Sequence, residues 1–291
     1  MRRIPLPQQI VDQAHAYAAG EATPAEPRNA ATVVLLRDGS LHGHAPGPEV
    51  YLLRRQTSMA FAGGMCVFPG GGVDPRDLDD DLTERDLWAG PSPEEWAQRL
   101  ACEESMARAL VCAAARETFE ESGVLLAGPT ATDVVADTTG DDWEADRVAL
   151  ESRELAFSDF LEQRGLVLRT DLLGAWSGWL TPIFEPRRYR TWFFVAALPE
   201  GQVTRDVSTE SSSVAWLPAA SAVQQVEAGE IMMLPPTWLT CLEVSEQPDV
   251  DSVLEQSHGR TVEMFMPEVV ESGEEFILST PPRYEQMMDR R

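Results

Sequence analysis

Apolar and polar positions along the chain change period in a way that marks out the elements. Residues 7–19 place Ile10, Val11 and Ala14 on one side of a helical projection, which predicts a short amphipathic helix. A polar, Pro-containing segment, 20–28, reads as a linker. Ala31-Thr32-Val33-Val34-Leu35-Leu36-Arg37 is a β-branched apolar run, the pattern of a buried strand. A loop rich in Gly, Pro and His (38–48) separates it from a second strand over 49–54, so the two form a hairpin with a long connection. Further along, helical character is expected over 143–163, and 191–198 carries the strongest strand pattern in the chain. A short strand at 214–218 follows, then helices over 219–228 and from Leu234 onward. The tail beyond Pro248 holds a short helical stretch and two apolar runs, 262–266 and 275–278.

Two stretches between these elements carry chemistry. Phe68-Pro69-Gly70-Gly71-Gly72 is a glycine turn. Residues 109–115 are strong helix formers that lead into Arg116-Glu117-Thr118-Phe119-Glu120-Glu121-Ser122-Gly123, where the glycine is a natural stop. At about 100° per residue, Glu117, Glu120 and Glu121 share an arc roughly 100° wide, opposite Val111, Ala115 and Phe119. Three crowded carboxylates repel unless cations neutralise them, and a hard divalent cation takes carboxylate oxygens well. Between the two stretches, 75–85 is dense in Asp and reads as a solvated acidic loop. Ser92-Pro93-Glu94-Glu95 is a capping box that starts a helix running to about Ala101, with Trp88 and Trp96 packing this region onto the body.

Composition narrows the partners. A formal charge of −25 over 291 residues argues against nucleic acid and against anionic membranes, but not against a small phosphate-bearing substrate held through a metal. All 23 basic residues are arginine, as expected of a GC-rich bacterial genome. The four cysteines, Cys66, Cys102, Cys112 and Cys241, show no C-x-x-C spacing and read as reduced thiols of a cytoplasmic protein. His42 and His44 sit in a loop where exposure is favoured over a metal site. No apolar run is long enough for a signal or a span.

The glycine turn followed by R-E-x-x-E-E-x-G resembles the Nudix box, the signature of the Nudix hydrolases. The resemblance implies an α/β fold, a Nudix-type α/β/α sandwich with a mixed sheet. It is expected as one domain over 1–291, with an N-terminal arm (1–28), an insertion in the box (about 75–105) and a C-terminal extension (about 246–291). It also implies Mg²⁺ or Mn²⁺ held by Glu117, Glu120, Glu121 and the Gly70 carbonyl, with Arg116 orienting Glu120. The sequence departs from the family in carrying about 30 extra residues between turn and Arg-Glu. Counted back from Arg116, the family's further glutamate falls on Arg108, with Glu103 and Glu104 nearby. Glu210, ahead of the 214–218 strand, is a carried-over candidate for metal binding or water activation.

Tyr51-Leu52, Arg55, Gly64 and Phe68-Pro69-Gly70-Gly71 also follow the pattern of the coenzyme A diphosphatase branch, whose second arginine is replaced here by Ala60. Trp176-x-x-Trp179 and the strand after Arg190 are similar to acyl-CoA diphosphatases whose box is likewise split. The resemblance thus implies a diphosphate substrate, with CoA or acyl-CoA as one class. Gly70 and Gly71 would approach the phosphates and Arg55 would bind them. Arg187, Arg188 and Arg190 form the basic cluster of an acidic chain, either meeting a phosphate or pairing with surface acids. ADP-ribose, NADH, nucleotide sugars and nucleoside triphosphates remain open as substrates, as does a Nudix-like binding protein without turnover. A homodimer is the family habit.

Overall fold

A computed structural model describes residues 6–39, 43, 46–58, 62–79, 81–273 and 275–290. The strands are β1 (Arg28–Asp38), β2 (Pro48–Arg55), β3 (Cys66–Val67), β4 (Gly70–Gly72), β5 (Trp88–Ala89), β6 (Ala127–Gly128), β7 (Val167–Arg169), β8 (Gly174–Leu180), β9 (Tyr189–Ala197), β10 (Ser211–Pro218), β11 (Met264–Phe265), β12 (Val269–Ser272) and β13 (Glu275–Leu278). The helices are α1 (Gln8–Ala18), α2 (Asp81–Glu84), α3 (Pro93–Leu100), α4 (Glu104–Ser122), α5 (Asp141–Glu151), α6 (Phe157–Arg164), α7 (Ala219–Glu227), α8 (Pro235–Ser245), α9 (Val250–His258) and α10 (Pro282–Asp289).

The main sheet runs β10-β2-β1-β9-β8-β11, with β3 added to β2 and β4 to β1. It is mixed: β1 lies parallel to β9 over Arg28–Leu36 and antiparallel to β2 and β4. The unbroken apolar run of β1 follows from helices covering both faces of the sheet. Ala31, Val33 and Leu35 point into one core with α4, while Val34 and Leu36 point into the other with α7 and α8. A separate three-stranded sheet, β5-β7-β6, flanks the first core.

Most elements fall where the period places them, and α3 begins at a full capping box on Ser92. The helix expected over 143–163 is instead two helices, because 152–156 turn and Arg153 takes a left-handed φ of 64°. Trp96 is fully buried against Phe194, so the insertion joins the first core. Leu6 N donates to Phe276 O, joining the N-terminal arm to the tail, and Arg188, just ahead of β9, donates to Ala25 O of the arm. The four cysteines are free. Among the described residues no helix is long and apolar enough to cross a membrane. His42, His44 and Ala60 lie outside the described residues.

Candidate active site

The glycine turn and the end of α4 meet across β1. Gly70, Gly71 and Gly72 stand opposite Thr32, Ala31 and Ala30, and Gly71 shares with Ala31 the face that α4 covers. A Cβ on Gly71 would overlap the Glu117 carboxylate, and one on Gly70 would overlap the Ala31 carbonyl and Thr32. Glycine is required because the helix carboxylates descend directly onto the strand backbone. The Gly70 N–H donates to Glu121 Oε2 at 2.7 Å.

Arg116 lies among the carboxylates, with its side chain 7% exposed. Its Nη1 donates to Glu117 Oε1 at 2.9 Å and to both Glu120 oxygens, at 3.1 and 3.2 Å. On its other side Nε and Nη2 form a two-pronged pair with Asp77, at 3.0 and 2.8 Å, and Nη2 reaches Gly72 O at 3.2 Å. Asp77 sits in a 3₁₀ turn, Pro75–Leu78, at the start of the insertion. Asp74 caps that turn and the Asp77 side chain closes a capping box.

The first part of 75–85 is therefore not a solvated acidic loop. Asp74 and Asp77 are buried, at 8% and 4% exposure, because each has a guanidinium to answer its charge. For the family's further glutamate, counting back along the helix gave Arg108, with Glu103 and Glu104 nearby; the acid that the insertion brings to Arg116 is Asp77. Glu103 and Glu104 are exposed at the opposite end of α4, about 20 Å away along the axis. Arg108 is buried and donates to Leu78 O. The signal for Asp77 was present: Asp74-Pro75-Arg76-Asp77 has the same cap form as Ser92-Pro93-Glu94-Glu95. Residues ahead of an insertion must also be counted from the glycine turn, not back from Arg116.

Burial pushes the Glu117 carboxyl up to about 7, with Arg116 opposing and Glu120 adding to the rise. Glu120 moves the same way, by burial first, and Asp77 and Glu151 raise it further against the pull of Arg116. Glu121 rises well above the usual range through burial and the nearby Glu117, opposed by the Gly70 N–H. Burial works against the Arg116 charge, but Glu117, Asp77 and Glu120 more than offset it and keep it protonated.

Asp77, Glu117 and Glu120 share one guanidinium and Glu121 takes the Gly70 N–H, so the cluster is short of positive charge, and carboxylate oxygens are the donors that Mg²⁺ and Mn²⁺ prefer. The chemistry of the donor set fits a divalent cation. Geometry adds a condition. Among the described residues no three acidic, His or Cys side chains converge as ligands, because Arg116 occupies the space between Glu117 and Glu120. A cation there would share those two carboxylates with Arg116, whose guanidinium is held on its other side by Asp77 and the Gly72 carbonyl.

The remaining sequence candidates divide. Arg55 Nη2 pairs with Glu210 Oε2 at 2.8 Å, and both stand near enough to Glu121 to act on its charge. Arg187 is exposed ahead of β9. Arg188 is buried and holds Thr181 O and Ala25 O. Arg190 donates to Asn29 and lines a separate groove of about 680 Å³ with Trp192, Met106 and Glu103. The three arginines thus diverge and do not form one patch. Arg147 and Glu151 of α5, which no motif flagged, lie against the end of α4: Arg147 Nη1 donates to Glu120 O at 2.7 Å.

A family model described as the NUDT19 Nudix domain matches residues 27–243, spanning the glycine turn, the insertion and α4. The chain belongs to the Nudix hydrolase family. The putative nudix hydrolase 7 of Caenorhabditis elegans is 25% identical over 242 residues, 80% of this chain and 68% of that protein. The acyl-coenzyme A diphosphatase NUDT19 of Xenopus laevis is 24% identical over 217 residues, 65% of this chain and 57% of that protein. Among solved structures, a NUDIX hydrolase from Alicyclobacillus acidocaldarius superposes with a TM-score of 0.66 at 26% identity, over 79% of this chain and 96% of that one. The range that the family model matches takes in both R-E-x-x-E-E-x-G and the Asp77 turn.

Proposed function

We propose that the protein is a Mg²⁺- or Mn²⁺-dependent diphosphatase that cleaves a phosphoanhydride in a nucleoside-diphosphate-type substrate, with CoA or acyl-CoA as the leading class. The observation that carries the reading is the set of Glu117, Glu120 and Glu121 gathered at the end of α4, Glu117 against Gly71 and Glu121 against Gly70, with too few cations to balance it. Bound metal would neutralise phosphate oxygens and acidify water, the two requirements of anhydride hydrolysis at neutral pH.

The chain's own groups have separable tasks in this reading. Glu117, Glu120, Glu121 and the Gly70 carbonyl would hold the metal. Gly70 and Gly71 leave room for phosphate beside the backbone. Arg116, anchored by Asp77, orients Glu117 and Glu120. Arg55 contacts the substrate phosphates, and Glu210, paired with it, accepts a proton from water or joins the metal ligands. The CoA preference is supported by the Tyr51 to Gly71 pattern and by the name of the frog relative.

A turnover screen over CoA, acyl-CoA, ADP-ribose, NADH and nucleoside triphosphates with Mg²⁺ and Mn²⁺ tests the reading. Hydrolysis of CoA species ahead of the rest is expected. Absence of product from all of them would leave a Nudix-like binding protein as the better description. Glu120→Gln should lower kcat at least a hundredfold with the fold intact. Unchanged turnover would remove Glu120 from the metal site.

A further inference from the structure

Glu210 sits on a weakly structured connection: residues 198–210 join β9 to β10 without a regular element, and the Glu210 side chain is 52% exposed. A carboxylate on such a segment needs outside support to keep a fixed distance from α4. Arg55 pairs with the carboxylate itself at 2.8 Å, and two further anchors hold the peptide that carries it. Just past β2, the Gln56 N–H donates to Glu210 O at 2.9 Å and Gln56 Nε2 donates to Thr209 O at 2.7 Å. From α5, Glu151 Oε1 accepts from Thr209 Oγ1 at 2.6 Å and from the Thr209 N–H at 3.3 Å.

The other oxygen of Glu151 accepts from Arg147 Nη1 at 3.1 Å, and the same Nη1 donates to Glu120 O. Arg147 is 3% exposed, and Glu144 completes its pairing. Glu144, Arg147 and Glu151 fall on one face of α5 through i,i+3 and i,i+4 spacing. One face of α5 therefore grips the last turn of α4 at one end and the Thr209–Glu210 peptide at the other.

We infer that Glu151 is a positioning residue of the active site, which acts through Thr209 to hold the Glu210 carboxylate in register with the glutamates of α4. The inference rests on the reading of Glu210 as a working residue of the diphosphatase. Glu151 touches the supporting loop and no reacting atom. A hydrogen bond to a charged group commonly contributes enough to change a rate about tenfold when lost.

The test uses the full chain with Mg²⁺ on CoA, or on the best substrate of the screen above. Thr209 is exposed, so its substitution spares the core. Thr209→Val and Glu151→Ala are each expected to lower kcat about tenfold with KM within about twofold. Thr209→Ser, which keeps the hydroxyl, should restore most of the rate, and the Glu151→Ala/Thr209→Val double variant should be no slower than either single one. If Thr209→Val keeps full kcat while Glu210→Gln is slow, the inference fails and the role of Glu210 stands. If Glu210→Gln is as fast as the native protein, or no diphosphate is turned over, the reading beneath it fails and takes the inference with it. Should Glu151→Ala prove unstable, the Thr209→Val and Thr209→Ser pair decides alone.

Discussion

Arg116 carries one positive charge for Asp77, Glu117 and Glu120, and the way that charge is shared decides which carboxylates are left for a cation. Asp77 has the better geometry, two parallel bonds from a planar fork. Removing it leaves Arg116 buried with its counter-ions confined to one side. Asp77→Ala is expected to cost about 3–5 kcal/mol of unfolding free energy, the usual cost of breaking a buried pair by losing one partner. Asp77→Asn, which keeps an acceptor, should cost less. Urea denaturation at neutral pH reads both, and a midpoint unchanged in Asp77→Ala would show that Arg116 does not depend on it. At this scale Glu117, Glu120 and Glu121 were legible in the sequence, because a helical arc of like charges is costly without a purpose. For Asp77 the cap form was readable but the burial was not, because that depends on a partner 39 positions away. A run of aspartates looks solvated until that partner is known.

Between elements, the contact that shapes the site is α4 lying on β4, with its carboxylates against a strand that has no side chains of its own. The helix stop at Gly123, with φ of 73°, and the strand periods of β1 and β9 were readable from local pattern. Which glycine of Gly70-Gly71-Gly72 meets which glutamate was not, since it depends on strand register and on the depth at which α4 packs. The structure gives Gly71 to Glu117 and Gly70 to Glu121. Gly71→Ala is therefore expected to displace the Glu117 carboxylate and lower kcat/KM at least a hundredfold, with far-UV circular dichroism unchanged. Gly72→Ala, where an added Cβ meets only the Asn29 carbonyl at 3.9 Å, should stay within about threefold of native. Equal losses at the two positions would mean that the turn works through backbone freedom and not through clearance for Glu117. The split of 143–163 into α5 and α6 belongs here too. Apolar period alone carried through Arg153, and only the left-handed turn ends α5 where Glu151 can reach Thr209.

For the whole molecule, the cost of gathering these acids appears as a dependence of stability on pH. Glu117, Glu120 and Glu121 all have folded-state values above those of the unfolded chain, with Glu117 near 7. Between the unfolded carboxyl range, about 4.3, and pH 7 the native state thus holds more protons than the unfolded one, so stability falls as pH rises through that window. The acids whose values are depressed, among them Asp74, Asp142 and Glu144, act in the opposite sense, but below the unfolded range. Metal-free protein is accordingly expected to lose thermal stability from pH 5 to pH 7.5. Saturating Mg²⁺ or Mn²⁺ should remove that loss, since cation binding requires the ionised carboxylates and tightens as they deprotonate. Melting curves at several pH values, with and without metal, measure both effects. The same slope in both series would separate the buried acids from the metal. In Glu120→Gln the metal-free slope should be shallower and the metal-dependent rise in Tm should shrink. That paired change would tie the cost of burying these carboxylates to the site they form.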